Sequence, residues 1–132
     1  MLFRSVADPD AWMLAGTGLT RGQTIPGLVG SEYDRVNRYW TTPEPIQIVL
    51  HSPVTCKGRA SFSDAAYYTA ASGAGVFATG TNAWICHLVI GCPAVDDRIV
   101  RITENLLRDF VRGPAAARHP AVDNTSAVGI TP

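Results

Sequence analysis

The chain lacks most of the features that announce a protein class at first sight. No apolar run in its 132 residues approaches the roughly 20 that a membrane span needs. The opening stretch from Met1 to Asp10 holds no apolar segment long enough for a signal peptide, so the expected location is cytoplasmic. Cysteine is scarce. Cys56, Cys86 and Cys92 are odd in number and without Cys-x-x-Cys spacing, which excludes a disulfide framework and a zinc ribbon and predicts buried, reduced thiols. Charge of one sign is missing too: eleven basic residues balance eleven acidic ones. With no basic stripe, nucleic acid is not an expected partner, and a neutral surface does not oppose association with another subunit. There is no Gly-x-Ser-x-Gly elbow for serine chemistry, and His51, His87 and His119 have no metal-ligand spacing. Internal repeats are absent.

What is present is a set of short apolar runs punctuated by glycine and proline. Ala11–Ala15 ahead of Gly16-Thr17-Gly18 reads as a buried strand entering a tight turn. The prolines at 43 and 45 hold the approach to a second strand extended, from about Gln47 to Ser52. Ala65 to Ala70, with Tyr67, Tyr68 and Thr69, favours a pleated, half-buried surface. Val76 to Thr79 pairs with it through the glycine hairpin Ser72–Gly75. Residues 84–90 are open between a strand and a helical turn, because periodicity does not decide so short a run.

The clearest element is a helix from about Asp97 to Arg112. Ile99, Ile102, Leu106 and Phe110 form an apolar row, widened by Val100, Leu107 and Val111. Asp96 is the expected N-cap and Gly113-Pro114 the stop, while Asp97 with Arg101 and Glu104 with Arg108 have i,i+4 spacing. The spacing predicts a domain over 1–114 and a tail over 115–132 that is disordered or draped over a partner. Four strands and one helix leave a sheet face or edge uncovered, and such edges invite association.

Three blocks carry a resemblance: Ala15-Gly16-Thr17-Gly18-Leu19; Gly27-Leu28-Val29-Gly30-Ser31-Glu32-Tyr33-Asp34-Arg35; and Ser63-Asp64-Ala65-Ala66-Tyr67-Tyr68-Thr69-Ala70 running through Ser72–Gly75 to Gly80-Thr81 and Trp84. In order and spacing they resemble the C-terminal domain of the N,N-dimethylformamidase large (beta) subunit family, over roughly residues 11–120. The resemblance implies an α/β fold, the closing portion of a glutamine-amidotransferase-like domain with mostly short strands and one long C-terminal helix. It also implies hydrolysis of the C–N bond of small N-substituted amides. The family's large subunit is several times longer, so most catalytic residues are expected upstream of Met1. In the family a mononuclear iron is held by two tyrosinates and a glutamate with a histidine close by, and no ligand set for it is identifiable in this chain.

Glu32 is the one candidate catalytic residue. On residues alone it is open between a solvated charge, a partner of Arg35 and a carboxylate held beside a cleft. The resemblance places it on the family's Gly-x-x-Gly-x-Glu segment, near the iron, where a carboxylate assists amide hydrolysis as a general base on metal-bound water. Tyr67 and Tyr68 are adjacent in a strand and point to opposite faces, so core packing with a hydroxyl hydrogen bond accounts for them better than ligation. Two functions follow from this reading. One is a fragment of an amide hydrolase, inactive alone and binding no iron stoichiometrically. The other is a structural module from a truncated or split gene. Either is expected to self-associate or to pair with an upstream polypeptide of the family.

Overall fold

The computed structural model describes residues 3–89 and 94–130, so Ile90 and Cys92 lie outside the described residues. Its strands are β1 (Phe3–Ser5), β2 (Thr24–Pro26), β3 (Ile46–Cys56), β4 (Arg59–Thr69) and β5 (Gly75–Ala78), followed by the helix α1 (Asp97–Phe110). All pairings among these strands are antiparallel. β1 pairs with β2, and a separate sheet has the order β3-β4-β5. The architecture is broadly α/β, with small sheets and one α-helix among the described residues.

β3 and β4 extend well beyond the runs that propensity picked out. They are joined by Lys57-Gly58, whose φ angles of 49° and 75° form the doubly left-handed two-residue turn that matches strand twist. The pairing runs from Ile46↔Tyr68 to Cys56↔Arg59, with one bulge between Ile48 and Leu50. At that bulge the Val49 carbonyl accepts from the N–H groups of Ala7 and Asp8, at 3.0 and 3.2 Å. An extra residue thus docks the N-terminal segment onto the sheet. In the β4–β5 hairpin only Gly73 has positive φ; Gly75 lies in the strand, where a β-carbon would crowd Ala115 and Phe110.

Two apolar runs expected to be strands or left open are helical turns. Residues Trp12–Leu14 form a 3-10 turn rather than a strand. Asp8 starts it, accepting from Asp10 N through its side chain and from Ala11 N through its carbonyl. The Met13 and Ala15 carbonyls, which a strand would offer to a neighbour, accept instead from the Asn105 side chain of α1, at 2.9 and 2.8 Å. Ile85–His87 is likewise a 3-10 turn, with buried His87 holding the Ala83 carbonyl through Nδ1 at 3.0 Å.

α1 starts where Asp96 caps it, the side chain accepting from Arg98 N at 2.9 Å, and stops before Gly113 at φ 100°. Ile99, Ile102 and Leu106 pack on Val49, Leu50, Ala65 and Tyr67 of the sheet and on Met13, Leu14 and Ile25. The apolar stripe is narrower than expected, since Leu107 and Val111 are exposed. Glu104 pairs with both Arg101 and Arg108, at 3.6 and 3.9 Å, and Asp97 has no ion pair with Arg101 among the described residues.

The second sheet face is not bare. Ile46, Ile48 and Ala66 there meet Val36, Tyr68, Val128 and Ile130, so the end of the tail covers it along with the loop after Tyr33. Asn124 anchors that tail like a strand residue. Its Oδ1 accepts from Ile48 N at 2.6 Å and its Nδ2 donates to Ile48 O at 2.9 Å. Tyr67, on the helix side, is fully buried and donates its hydroxyl to the His119 carbonyl at 2.8 Å. The thiols are less hidden than expected: Cys56 is exposed beside the hairpin turn and Cys86 is half-buried.

Candidate functional site

The segment from Gly30 to Val36 runs as an extended strip along residues 79–82. Gly30 N donates to Thr81 Oγ1 at 2.9 Å, Tyr33 bridges to Thr81, and Asp34 N donates to the Gly80 carbonyl at 3.1 Å. Asn82 contributes both backbone and side chain. Its N–H donates to the Glu32 carbonyl and its Oδ1 accepts from Glu32 N, each at 3.4 Å. Glu32, Tyr33, Asp34, Thr79, Thr81 and Asn82 line a cleft of about 280 Å³. The Glu32 side chain is exposed at this cleft and pairs with no basic residue among the described ones. Arg35, its expected alternative partner, reaches Ser61 Oγ instead, at 3.4 Å.

Under the strip lies a buried polar layer that sequence reasoning did not single out. Asp64, 3% exposed, accepts from Val36 N at 2.8 Å through Oδ2 and contacts His51 Nδ1 at 2.6 Å through Oδ1. Its backbone N–H donates to the Asp34 carbonyl at 2.9 Å. Ser63 Oγ donates to the Gly80 carbonyl at 2.9 Å, and Arg4 donates to the Thr79 carbonyl at 2.7 Å. Arg4 is wholly enclosed, with no partner for Nε or NH1. Burial lowers its pKa to about 10, and the Asp64 charge opposes that shift. The signal that could have found it is a charged residue, Asp64, inside the Ser63–Ala66 stretch of small side chains. A charge in a strand of that composition has to find partners.

The remaining histidines do not join the cleft. His51 is stacked on Phe62, ring centroids 4.4 Å apart, with Asp64 on its other edge. His119 is stacked on Trp12 at the same separation, on the α1 side of the sheet. The arrangement at Glu32 offers an unpaired carboxylate, threonine hydroxyls and a carboxamide around a space of small-molecule size. That set can accept a proton and hydrogen-bond a compact polar group such as an amide.

An iron held by two tyrosinates and a glutamate does not fit these residues. Tyr67 spends its hydroxyl on His119, and burial, aided by the Asp109 charge, raises its pKa and disfavours the tyrosinate. Tyr68 points to the opposite sheet face, where it packs on Ile46 and Ile48. Tyr33 is the one tyrosine at the Glu32 cleft. No group of three or more His, Cys, Asp or Glu side chains is arranged to hold a metal ion among the described residues.

Fold and cleft together define a small α/β domain that presents a carboxylate on a hydrogen-bonded strip beside a sheet edge. The family described as N,N-dimethylformamidase beta subunit-like, C-terminal, matches residues 3–97, and the chain belongs to it. The matched stretch contains both sheets, the whole Glu32 strip and the layer beneath it, and ends at the first residue of α1. No match was found among curated proteins or among solved structures. No helix among the described residues is long and apolar enough to cross a membrane.

Proposed function

We propose that this chain supplies part of an amide hydrolase for small N-substituted amides, with Glu32 as the general base. The observation that carries the proposal is the unpaired placement of Glu32 at a polar cleft, with both its backbone N–H and its carbonyl bonded to Asn82 and the next-but-one residue, Asp34, bonded to the Gly80 carbonyl. In the step assigned to it, the Glu32 carboxylate takes a proton from a water molecule attacking the amide carbon. The C–N bond then breaks, and the amine leaves with a proton as the acyl group becomes a carboxylic acid. Thr81 and Asn82 line the space that the amide would occupy. We take the small sheets and α1 as the closing part of a glutamine-amidotransferase-like α/β domain. Activity then depends on further polypeptide of the same family or on a second copy of the chain.

A second reading, a non-catalytic interaction module, draws on Tyr39 and Trp40, which stand 91% and 77% exposed on the loop before β3. One comparison separates the two. The chain is combined with the remainder of a family large subunit, and turnover of a small formamide is measured for wild type and Glu32→Gln. Glutamine keeps the size but cannot take the proton, so the rate should fall about 10²–10⁴-fold. The melting temperature should hold, because an exposed substitution changes stability by roughly 0.5 kcal/mol or less. Full activity in the variant would make Glu32 a solvated charge. Inactivity with a large loss of stability would make it structural.

A further inference from the structure

Of the eleven Lys and Arg residues in the chain, most have an acceptor within the fold. Arg38, Arg98, Arg101, Arg108, Arg112 and Arg118 are ion-paired. Arg21 bonds the Ala7 carbonyl, and buried Arg4 bonds the Thr79 carbonyl beside Asp64. The three that remain are Arg35, Lys57 and Arg59, and none has a carboxylate partner among the described residues. All three line one groove of about 460 Å³, between the β3–β4 turn and the strip that carries Glu32.

Strand geometry explains why the cations collect there. In an extended chain, residues two apart share a side. Tyr33 and Arg35 of the strip and Arg59 and Ser61 of β4 all line this groove, and Arg35 reaches Ser61 Oγ across it. Glu32 and Asp34 have the opposite parity and line the neighbouring cleft. Lys57 enters from the turn itself. Positive charge is thus gathered in a chain of zero net charge, with the strip's own carboxylates on the far side.

We infer that this groove is a binding site for a small oxyanion, a carboxylate or phosphate group carried by a small molecule. Two guanidinium groups offer the paired N–H donors that match such oxygens, and the lysine adds a point charge. The volume suits a compact ligand, and a neutral chain has no long-range field to draw in a polyanion. The inference is independent of the role given to Glu32. If that role holds as well, Tyr33 is common to both spaces, and the preferred amide is one that bears an acidic group.

Calorimetric titration of the full chain with inorganic phosphate and, separately, with succinate at low ionic strength tests the site. Saturable binding of one or both is expected, and which one binds distinguishes a phosphate from a carboxylate ligand. In R35Q/R59Q the affinity should drop about tenfold or more, and in K57Q about threefold, as for charge-assisted contacts in a partly solvated groove. R108Q, on the exposed face of α1, should bind as wild type does. All the substituted side chains are exposed, and unchanged melting temperatures confirm that each variant is folded. The proposal is overturned if neither anion saturates the protein, or if R35Q/R59Q binds as tightly as wild type. Binding of an oligoglutamate peptide without either small anion would also overturn it, in favour of a protein partner.

Discussion

Gly80→Ala is the substitution that probes the layer under the Glu32 strip most directly. Gly80 has φ 62°, a conformation costing about 1–2 kcal/mol for an L-residue with a β-carbon. Space is the larger obstacle. An added β-carbon would overlap the Asp64 carbonyl oxygen, lie 2.8 Å from its carbon and sit 3.0 Å from Arg4 NH2. Relief requires the 79–82 segment to move away from β4. That motion strains the bonds from Asp34 N and Ser63 Oγ to the Gly80 carbonyl, each worth about 1 kcal/mol. Together these terms predict a loss of about 3–5 kcal/mol, or roughly 10–20 °C in melting temperature for a domain of this size. Gly58→Ala is the matched control. It has φ 75° but nothing within 4 Å of the added carbon, so it should cost only about 1–2 kcal/mol. Urea and thermal unfolding of the two variants beside wild type give the comparison. If Gly80→Ala falls within about 1 kcal/mol of Gly58→Ala, the close packing of this turn on Asp64 is not a source of stability and the reasoning fails.

Asn124→Ala removes both bonds to Ile48 and leaves that residue's N–H and C=O open, so urea unfolding should show a loss of about 1–3 kcal/mol, with faster amide exchange at Ile48; an unchanged midpoint would mean that the tail does not depend on this anchor. Acid should weaken the fold for reasons that can be assigned. Asp96, Asp109 and Asp123 are held below the ordinary carboxylate range, chiefly by hydrogen bonds from Arg98, Arg118 and Thr125 respectively. Because the folded values are depressed, their contribution is complete above the unfolded carboxylate pKa of about 4 and is lost as pH falls through the folded values. Asp109→Asn should therefore flatten the dependence of urea midpoint on pH below about 4, and an unaltered slope would remove Asp109 from the account.

Local signals carried the parts of the fold that were readable in advance. The Asp96 cap, the Ile99–Ile102–Leu106 row, the Gly113-Pro114 stop and the β4–β5 hairpin each depend on residues within a few positions of one another. Tyr67 was also legible, because a tyrosine in an apolar strand needs a hydroxyl partner, here the His119 carbonyl. The readings that failed depend on distant contacts. Ala11–Ala15 is apolar enough for a strand, and only Asn105, some ninety residues away, supplies the acceptor-satisfying groups that make a turn of it. Leu107 and Val111 fit the helical period yet meet no second layer, so they stay exposed. The tail lacks apolar periodicity, but two bonds from Asn124 to one strand residue achieve what periodicity usually does. At the site, Glu32 stood out only through its likeness to the family's Gly-x-x-Gly-x-Glu segment, and its role is the one proposed above. Arg4, Asp64 and Asn82 went unnoticed because their significance lies in pairing with residues far along the chain: Thr79 for Arg4, Glu32 for Asn82, and His51, Asp34 and Val36 for Asp64.

The buried layer does more than hold the strip in place: it sets the strip's register, and register decides what chemistry each side presents. Asp64 takes hold of the strip at Asp34 and at Val36, donating to one carbonyl and accepting from the other residue's N–H. Those are alternate residues, so the two contacts fix both position and phase. A slip of one residue in an extended segment turns every side chain to the opposite face. Here it would carry Arg35 into the small cleft beside Thr81 and Asn82, and Glu32 and Asp34 towards Lys57 and Arg59. The unpaired carboxylate would then meet the unpaired cations, and both groups would be neutralised. A buried arginine with two unpartnered donors is costly, and a well-packed apolar residue often substitutes for a buried charge without loss of stability. The fold gains something different from Arg4 and Asp64. With Arg4 bonding Thr79 and Ser63 bonding Gly80 on one wall, and Asp64 bonding the strip on the other, this layer keeps an acidic cleft and a basic groove apart on a single strand-like segment.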